Sequence, residues 1–180
     1  MKKTYLVTKS QSDLELFKKL LPEKIVNDTS FATAPSRSSA RSLARTLLAV
    51  KLRPLALVVD ADTNDASSVR ELRALLQELL HCASPGIESE VFLAVPEMES
   101  LFLQDRTFLE KLAARKFSDA EWKAAELKPR KFLCDVFGEE SHISERLLGS
   151  LNEQTILKMQ GHPLVSNLCK FLSSVADITD

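Results

Sequence analysis

Glycine is scarce in this chain, four in 180 residues, and none sits in a glycine-rich loop of the P-loop or dinucleotide type. Nucleotide binding by those two modes is therefore without support. The three cysteines, Cys82, Cys134 and Cys169, lie far apart and form no C-x-x-C pair. They read as reduced core thiols, not as a disulfide framework or a thiolate metal site. No apolar run approaches the roughly 18 to 20 residues that a membrane helix needs, and the opening Met1-Lys-Lys-Thr-Tyr-Leu-Val meets charge too early for a signal peptide. A soluble cytoplasmic protein without membrane partners is expected. His81, His142 and His162 are scattered with no ligand-spaced partner, and Trp122 and Tyr5 are single aromatics expected to pack rather than stack on bases. No nucleophile elbow accompanies the serines.

Neither sign of charge dominates, the net being −1, but the distribution is uneven. Met1 to Arg53 holds eleven Lys plus Arg against four acids, whereas Asp60 to Asp105 holds two against ten. A basic lobe beside an acidic cluster suits a site that holds phosphates with one wall and a divalent cation with the other. At 180 residues and 44% hydrophobic, the chain is long enough for one domain with a sizeable core.

Tyr5 to Thr8 reads as a strand, then Ser12 as an N-cap and Asp13 as a helix-start residue favoured by the helix dipole, with Leu14, Leu16, Phe17, Leu20 and Leu21 at helical spacing until Pro22. Lys24 to Asn27 is expected to be a short second strand, followed by a polar loop to Ser36. From Arg37 to about Ala49 a helix carries Arg37, Arg41 and Arg45 every fourth residue as one basic stripe. With the Ser38 and Ser39 amides, that stripe is a candidate phosphate seat.

Leu55 to Val59 is a strand with apolar residues throughout, as expected where both faces are covered, and Asp60-Ala61-Asp62 follows it. A helix from Ser68 to about Cys82, with Val69, Leu72, Leu75, Leu76, Leu79 and Leu80 as its buried stripe, leads to a strand over Glu90 to Val95. The unit is strand-helix-strand, and parallel pairing is expected from right-handed crossover. Pro96-Glu97-Met98-Glu99 opens a helical turn at the rim. Beyond Asp105 only short amphipathic helices are expected: 108–114, 119–127, 129–137, 143–148, 153–159 and 163–175. The expected division is an α/β core over 1–105 and a helical layer over 106–180.

Ligands collect at the carboxyl ends of parallel strands, which puts Asp60, Asp62, Glu97 and Glu99 near one rim. Carboxylates are hard oxygen donors of the kind Mg²⁺ prefers, and like charges at a core's edge need a cation to offset them.

Ser10-Gln-Ser-Asp13 at a helix start after the first strand, with the later Val58-Val-Asp-Ala-Asp62, resembles the Toprim fold shared by topoisomerases, primases and overcoming-lysogenization-defect nucleases. Val95-Pro-Glu-Met-Glu-Ser-Leu-Phe-Leu-Gln-Asp105 and Lys128-Pro-Arg-Lys-Phe-Leu resemble, more narrowly, small stand-alone bacterial Toprim-like proteins, many of them near phage-defence genes. The resemblance implies a mainly parallel sheet with helices on both faces, and Mg²⁺ or Mn²⁺ at Asp60, Asp62 and a glutamate. It further implies action on DNA or RNA phosphodiesters in anti-phage defence.

The family's loop of the form Glu-Gly-x-Ser/Thr-Asp is not kept. Lys9 stands in place of the glutamate and Ser10 in place of the glycine. Lysine cannot coordinate Mg²⁺ and repels it. Three expectations stay open: Lys9 contacts a phosphate, Glu97 or Glu99 supplies the missing carboxylate and the acid–base function, or the fold is kept without cleavage and serves a partner protein such as an ATPase subunit.

Overall fold

The structure, a computed structural model, describes residues 3–138 and 140–177, and the side chains of residues 140–144 and 177 fall outside that description. His142 is among the latter. The reading of the terminal residues 1, 2 and 178–180 lies outside it as well.

Four parallel strands, β1 (Thr4–Thr8), β2 (Thr29–Thr33), β3 (Leu55–Asp60) and β4 (Ser89–Ala94), form one sheet in the order β2-β1-β3-β4. Every residue of β3 is buried, as the unbroken apolar run predicts for a strand covered on both faces. The side-chain period of two then sorts the core into two layers. Leu55, Leu57 and Val59 of β3 join Val7 and Val91 beneath α3 (Arg37–Lys51) and α4 (Ala66–Ala83). Ala56 and Val58 join Leu6 and Phe92 on the opposite face, under α1 (Gln11–Leu20) and the carboxyl-terminal helices. Asp60 has the same parity as Ala56 and Val58, so its carboxylate emerges on the carboxyl-terminal side.

The second element differs from expectation. Glu23–Asp28 is a helix, α2, and the strand comes after it, over the stretch expected as a loop. Two apolar residues, Ile25 and Val26, are too few to separate a strand from a helical turn. Pro22 and Glu23 supply a helix start. β2 pairs on one side only, and an edge strand tolerates its polar residues; Thr4 and Thr29 share a buried hydroxyl contact at 3.1 Å. The cap of α1 is Ser10, which accepts from the Asp13 amide at 3.1 Å, and not Ser12. In α4 the cap is Asp65, and only Leu76 and Leu80 of the expected stripe are buried. Leu75 and Cys82 are exposed. The expectation of a buried thiol at Cys82 is corrected accordingly.

After β4 come a 3-10 segment (Met98–Gln104), α5 (Arg106–Ala113), α6 (Asp119–Leu127), α7 (Pro129–Phe137), α8 (Glu140–Ser150), α9 (Glu153–Gln160) and α10 (Pro163–Asp177). Ser118 and Glu121 form a reciprocal capping box at α6, and Pro129 occupies the first turn of α7. Trp122 packs against Phe117 and Phe132 with ring centroids 6.1 and 6.2 Å away. Asp105 caps α5 through the Phe108 amide and reaches Thr155 Oγ1 at 2.9 Å and Lys158 Nζ at 2.8 Å, tying α9 to the end of the 3-10 segment. Burial alone would raise its carboxyl, and these donors together hold it below the ordinary aspartate range.

Candidate functional site

The carboxyl ends of β1, β3 and β4 meet where the 3-10 segment and α7 cross above the sheet. β3 ends in Asp60, 1% exposed. The ladder to β4 continues past the strand: the Ala61 amide donates to Ala94 O at 2.8 Å and the Asp62 amide to Pro96 O at 2.8 Å. Asp62 has φ +57, a left-handed conformation that aspartate tolerates better than most residues, and it directs the chain towards α3. The two aspartates consequently part company.

Asp60 Oδ1 accepts from the Met98 amide at 2.9 Å, and Oδ2 receives two cations, Lys9 Nζ at 2.5 Å and the Arg130 guanidinium at 2.8 Å. Lys9 comes from the end of β1 and Arg130 from the first turn of α7. A carboxylate this deep must be neutralised by partners, and here both formal positive charges are supplied by the chain. Burial opposes the charge on Lys9, but the hydrogen bond and charge of Asp60 outweigh it and leave its pKa raised. Arg130 is likewise held protonated: burial is overcome by Glu99, Asp60 and Glu97.

Arg130 gathers the remaining acids. Its Nε and terminal nitrogen reach the two oxygens of Glu99 at 2.9 and 3.3 Å, a forked pairing, while its backbone amide donates to Glu97 at 3.0 Å. Glu97 therefore caps α7, whose first amides have no intrahelical acceptor. Asp62 pairs with Arg37 at 3.1 Å, and the same guanidinium donates to the carbonyls of Asp60 and Ala61 at 3.2 and 3.3 Å. Arg37 is thus a clasp on the Asp60-Ala61-Asp62 loop. Of its neighbours in the stripe, Arg45 is exposed, whereas Arg41 is half-buried, its Nε shielded from solvent and lacking a hydrogen-bond partner. Among the described residues neither makes an ion pair.

Asp13 sits in the first turn of α1, 8% exposed, beside Leu16, Met98, Phe102, Arg130 and Leu133 around a small cavity. Burial raises its carboxyl to about 6, with the charges of Asp60 and Glu99 adding to the rise, against the lowering by Ser10 and Lys9. One of its oxygens, Oδ2, has no partner.

The sequence expectation of Mg²⁺ held by Asp60, Asp62 and Glu97 does not fit this arrangement. Asp60 is filled by two cations, Asp62 is turned to Arg37, and Glu97 is spent on a helix end. Among the described residues no group of three His, Cys, Asp or Glu side chains is placed to hold a metal ion. Lys9 and Glu99 lie in one cluster with Asp60 and Arg130. Arg130 was not among the expected site residues. Its signal was present in Lys128-Pro-Arg-Lys, where a proline-opened helix puts a cation in the first turn, but nothing in the sequence says that this turn lies over β3.

No family model matches the chain, and no curated protein matches it. Two solved structures are similar over almost all of it. The C-terminal region of the Burkholderia pseudomallei OLD protein covers 98% of this chain and 99% of its own at 10% identity, TM-score 0.55. The C-terminal region of the Xanthomonas campestris pv. campestris OLD protein covers 98% and 96% at 7% identity, TM-score 0.52. At those identities the likeness concerns the fold: the chain is a Toprim-like α/β protein of the architecture found in OLD C-terminal regions.

Proposed function

We propose that this chain is a Toprim-like module that engages the phosphates of DNA or RNA with the outer face of α3, and that its carboxylate rim serves structure rather than divalent-metal hydrolysis. The observation that carries it is the charge of α3: Arg37, Arg41, Arg45 and Lys51 with no acid along the helix, and Arg41 and Arg45 without ion pairs among the described residues. Unpaired arginines on one face next to the rim are the electrostatic footprint of backbone binding. The setting we favour is bacterial anti-phage defence, in line with the small Toprim-like proteins the sequence resembles.

Fluorescence anisotropy with labelled single- and double-stranded oligonucleotides across a salt series tests the reading. Wild type is expected to bind with an affinity that falls as salt rises, equally in EDTA and in Mg²⁺ at matched ionic strength. Arg41→Gln/Arg45→Gln should weaken binding and flatten the salt slope by about 2. Mg²⁺-dependent cleavage of plasmid that Asp60→Ala abolishes would instead establish the hydrolytic alternative. A second reading is a module that docks on a partner protein such as an ATPase subunit. It is favoured by the description of both similar structures as C-terminal regions of longer proteins. Absence of oligonucleotide binding at low salt would select it.

A further inference from the structure

One terminal nitrogen of Arg130 lies 2.8 Å from Asp60 Oδ2 and 3.3 Å from a Glu99 oxygen, and Lys9 Nζ lies 2.5 Å from the same Asp60 oxygen. A single positive point between two carboxylates, with a second cation on the more buried of them, is the arrangement of a bridging ion. Here the bridge is made of side chains. Asp13, buried and with one carboxylate oxygen unpartnered, lines the cavity beside Glu99 and Arg130. Asp62 and Glu97 are excluded from this set by their own partners, Arg37 and the α7 amide.

We infer that Arg130 and Lys9 occupy the position of a divalent cation between Asp60 and Glu99, so that the rim is a carboxylate site closed by the chain's own cations and is opened to metal by removing them. The donor set so assigned, Asp60 and Glu99 with Asp13 adjacent, differs from the Asp60, Asp62 and Glu97 set that the sequence suggests. The two oxygens, 2.8 and 3.3 Å from one nitrogen, need to close by about 0.7 and about 1.2 Å to ligate Mg²⁺ or Mn²⁺ near 2.1 Å. With both cations gone, Asp60 is a buried charge without compensation, and any cation that enters stabilises the folded state alone. The inference is independent of whether α3 binds nucleic acid, because the readout uses metal only.

The experiment is thermal melting of wild type, Lys9→Gln/Arg130→Gln, and that double variant carrying Glu99→Gln, each in EDTA and in excess Mg²⁺ or Mn²⁺. Wild type is expected to melt at the same temperature in all three buffers. The double variant should melt lower in EDTA and rise by roughly 5 °C or more in Mn²⁺, a shift that Glu99→Gln removes. A folded double variant indifferent to metal overturns the inference. Calorimetric titration of wild type with Mn²⁺ decides the matter even where the double variant does not fold. No heat of binding supports a site already filled; binding that Asp60→Asn abolishes contradicts it.

Discussion

Asp60 and Arg130 depend on one another at the level of single atoms. Arg130 is 28% exposed at its side chain and Asp60 1%, so Arg130→Met removes a cation from a carboxylate that water cannot reach. The loss, tempered by Lys9, which stays on the same oxygen, is expected to be about 2 to 3 kcal/mol of folding stability, read from urea denaturation at neutral pH. Asp13 behaves in the opposite sense. Its folded pKa of about 6 lies above the 3.8 of an ordinary aspartate, so between those values the folded state holds a proton that the unfolded chain has released. Stability therefore falls as pH rises through that window. The cost is absent below about pH 4 and complete above about pH 6, where two units correspond to about 3 kcal/mol. Asp13→Asn should stabilise the protein by about 2 kcal/mol at pH 8, the lost interaction with the helix dipole offsetting the rest, and change little at pH 4.

At the scale of elements, legibility followed the strength of the apolar pattern. β3, with six buried residues in a row, and α3, with its Arg and Ala-Leu periodicity, were readable because one signal dominated each. α2 and β2 were not, since Ile25 and Val26 fit either structure and an edge strand needs no alternation of its own. The rim was readable only as far as strand ends can be counted. That Asp60 and Glu99 share a cluster follows from parallel strands; that Asp62 turns to Arg37 depends on a left-handed residue, and that Arg130 lies above Asp60 depends on the packing of α7 over the 3-10 segment. Neither leaves a local signature. Asp105 shows the same limit: it caps α5 three residues away, but its hold on Thr155 and Lys158 spans 50 and 53 residues. Asp105→Ala is expected to cost about 3 kcal/mol and to expose α9 amides to hydrogen exchange before the sheet.

Across the whole molecule the β-strand period decides what the site is. Even-numbered residues of β3 face the carboxyl-terminal helices, and that face carries a core running from Leu6 and Leu16 to Leu133, Leu168 and Leu172. Cooperative packing of this extent predicts a single calorimetric unfolding transition, with no separate melting of the carboxyl-terminal helices. It also explains why the carboxylates find side-chain cations: Asp60 opens under α7, which brings Arg130, and not towards solvent. The most direct test is a crystal grown with Mn²⁺ and measured at the manganese absorption edge. The expected map shows no anomalous peak within bonding distance of Asp60, with Lys9 and Arg130 on Asp60 Oδ2. A manganese peak ligated by Asp60, with those two side chains displaced, would contradict the account.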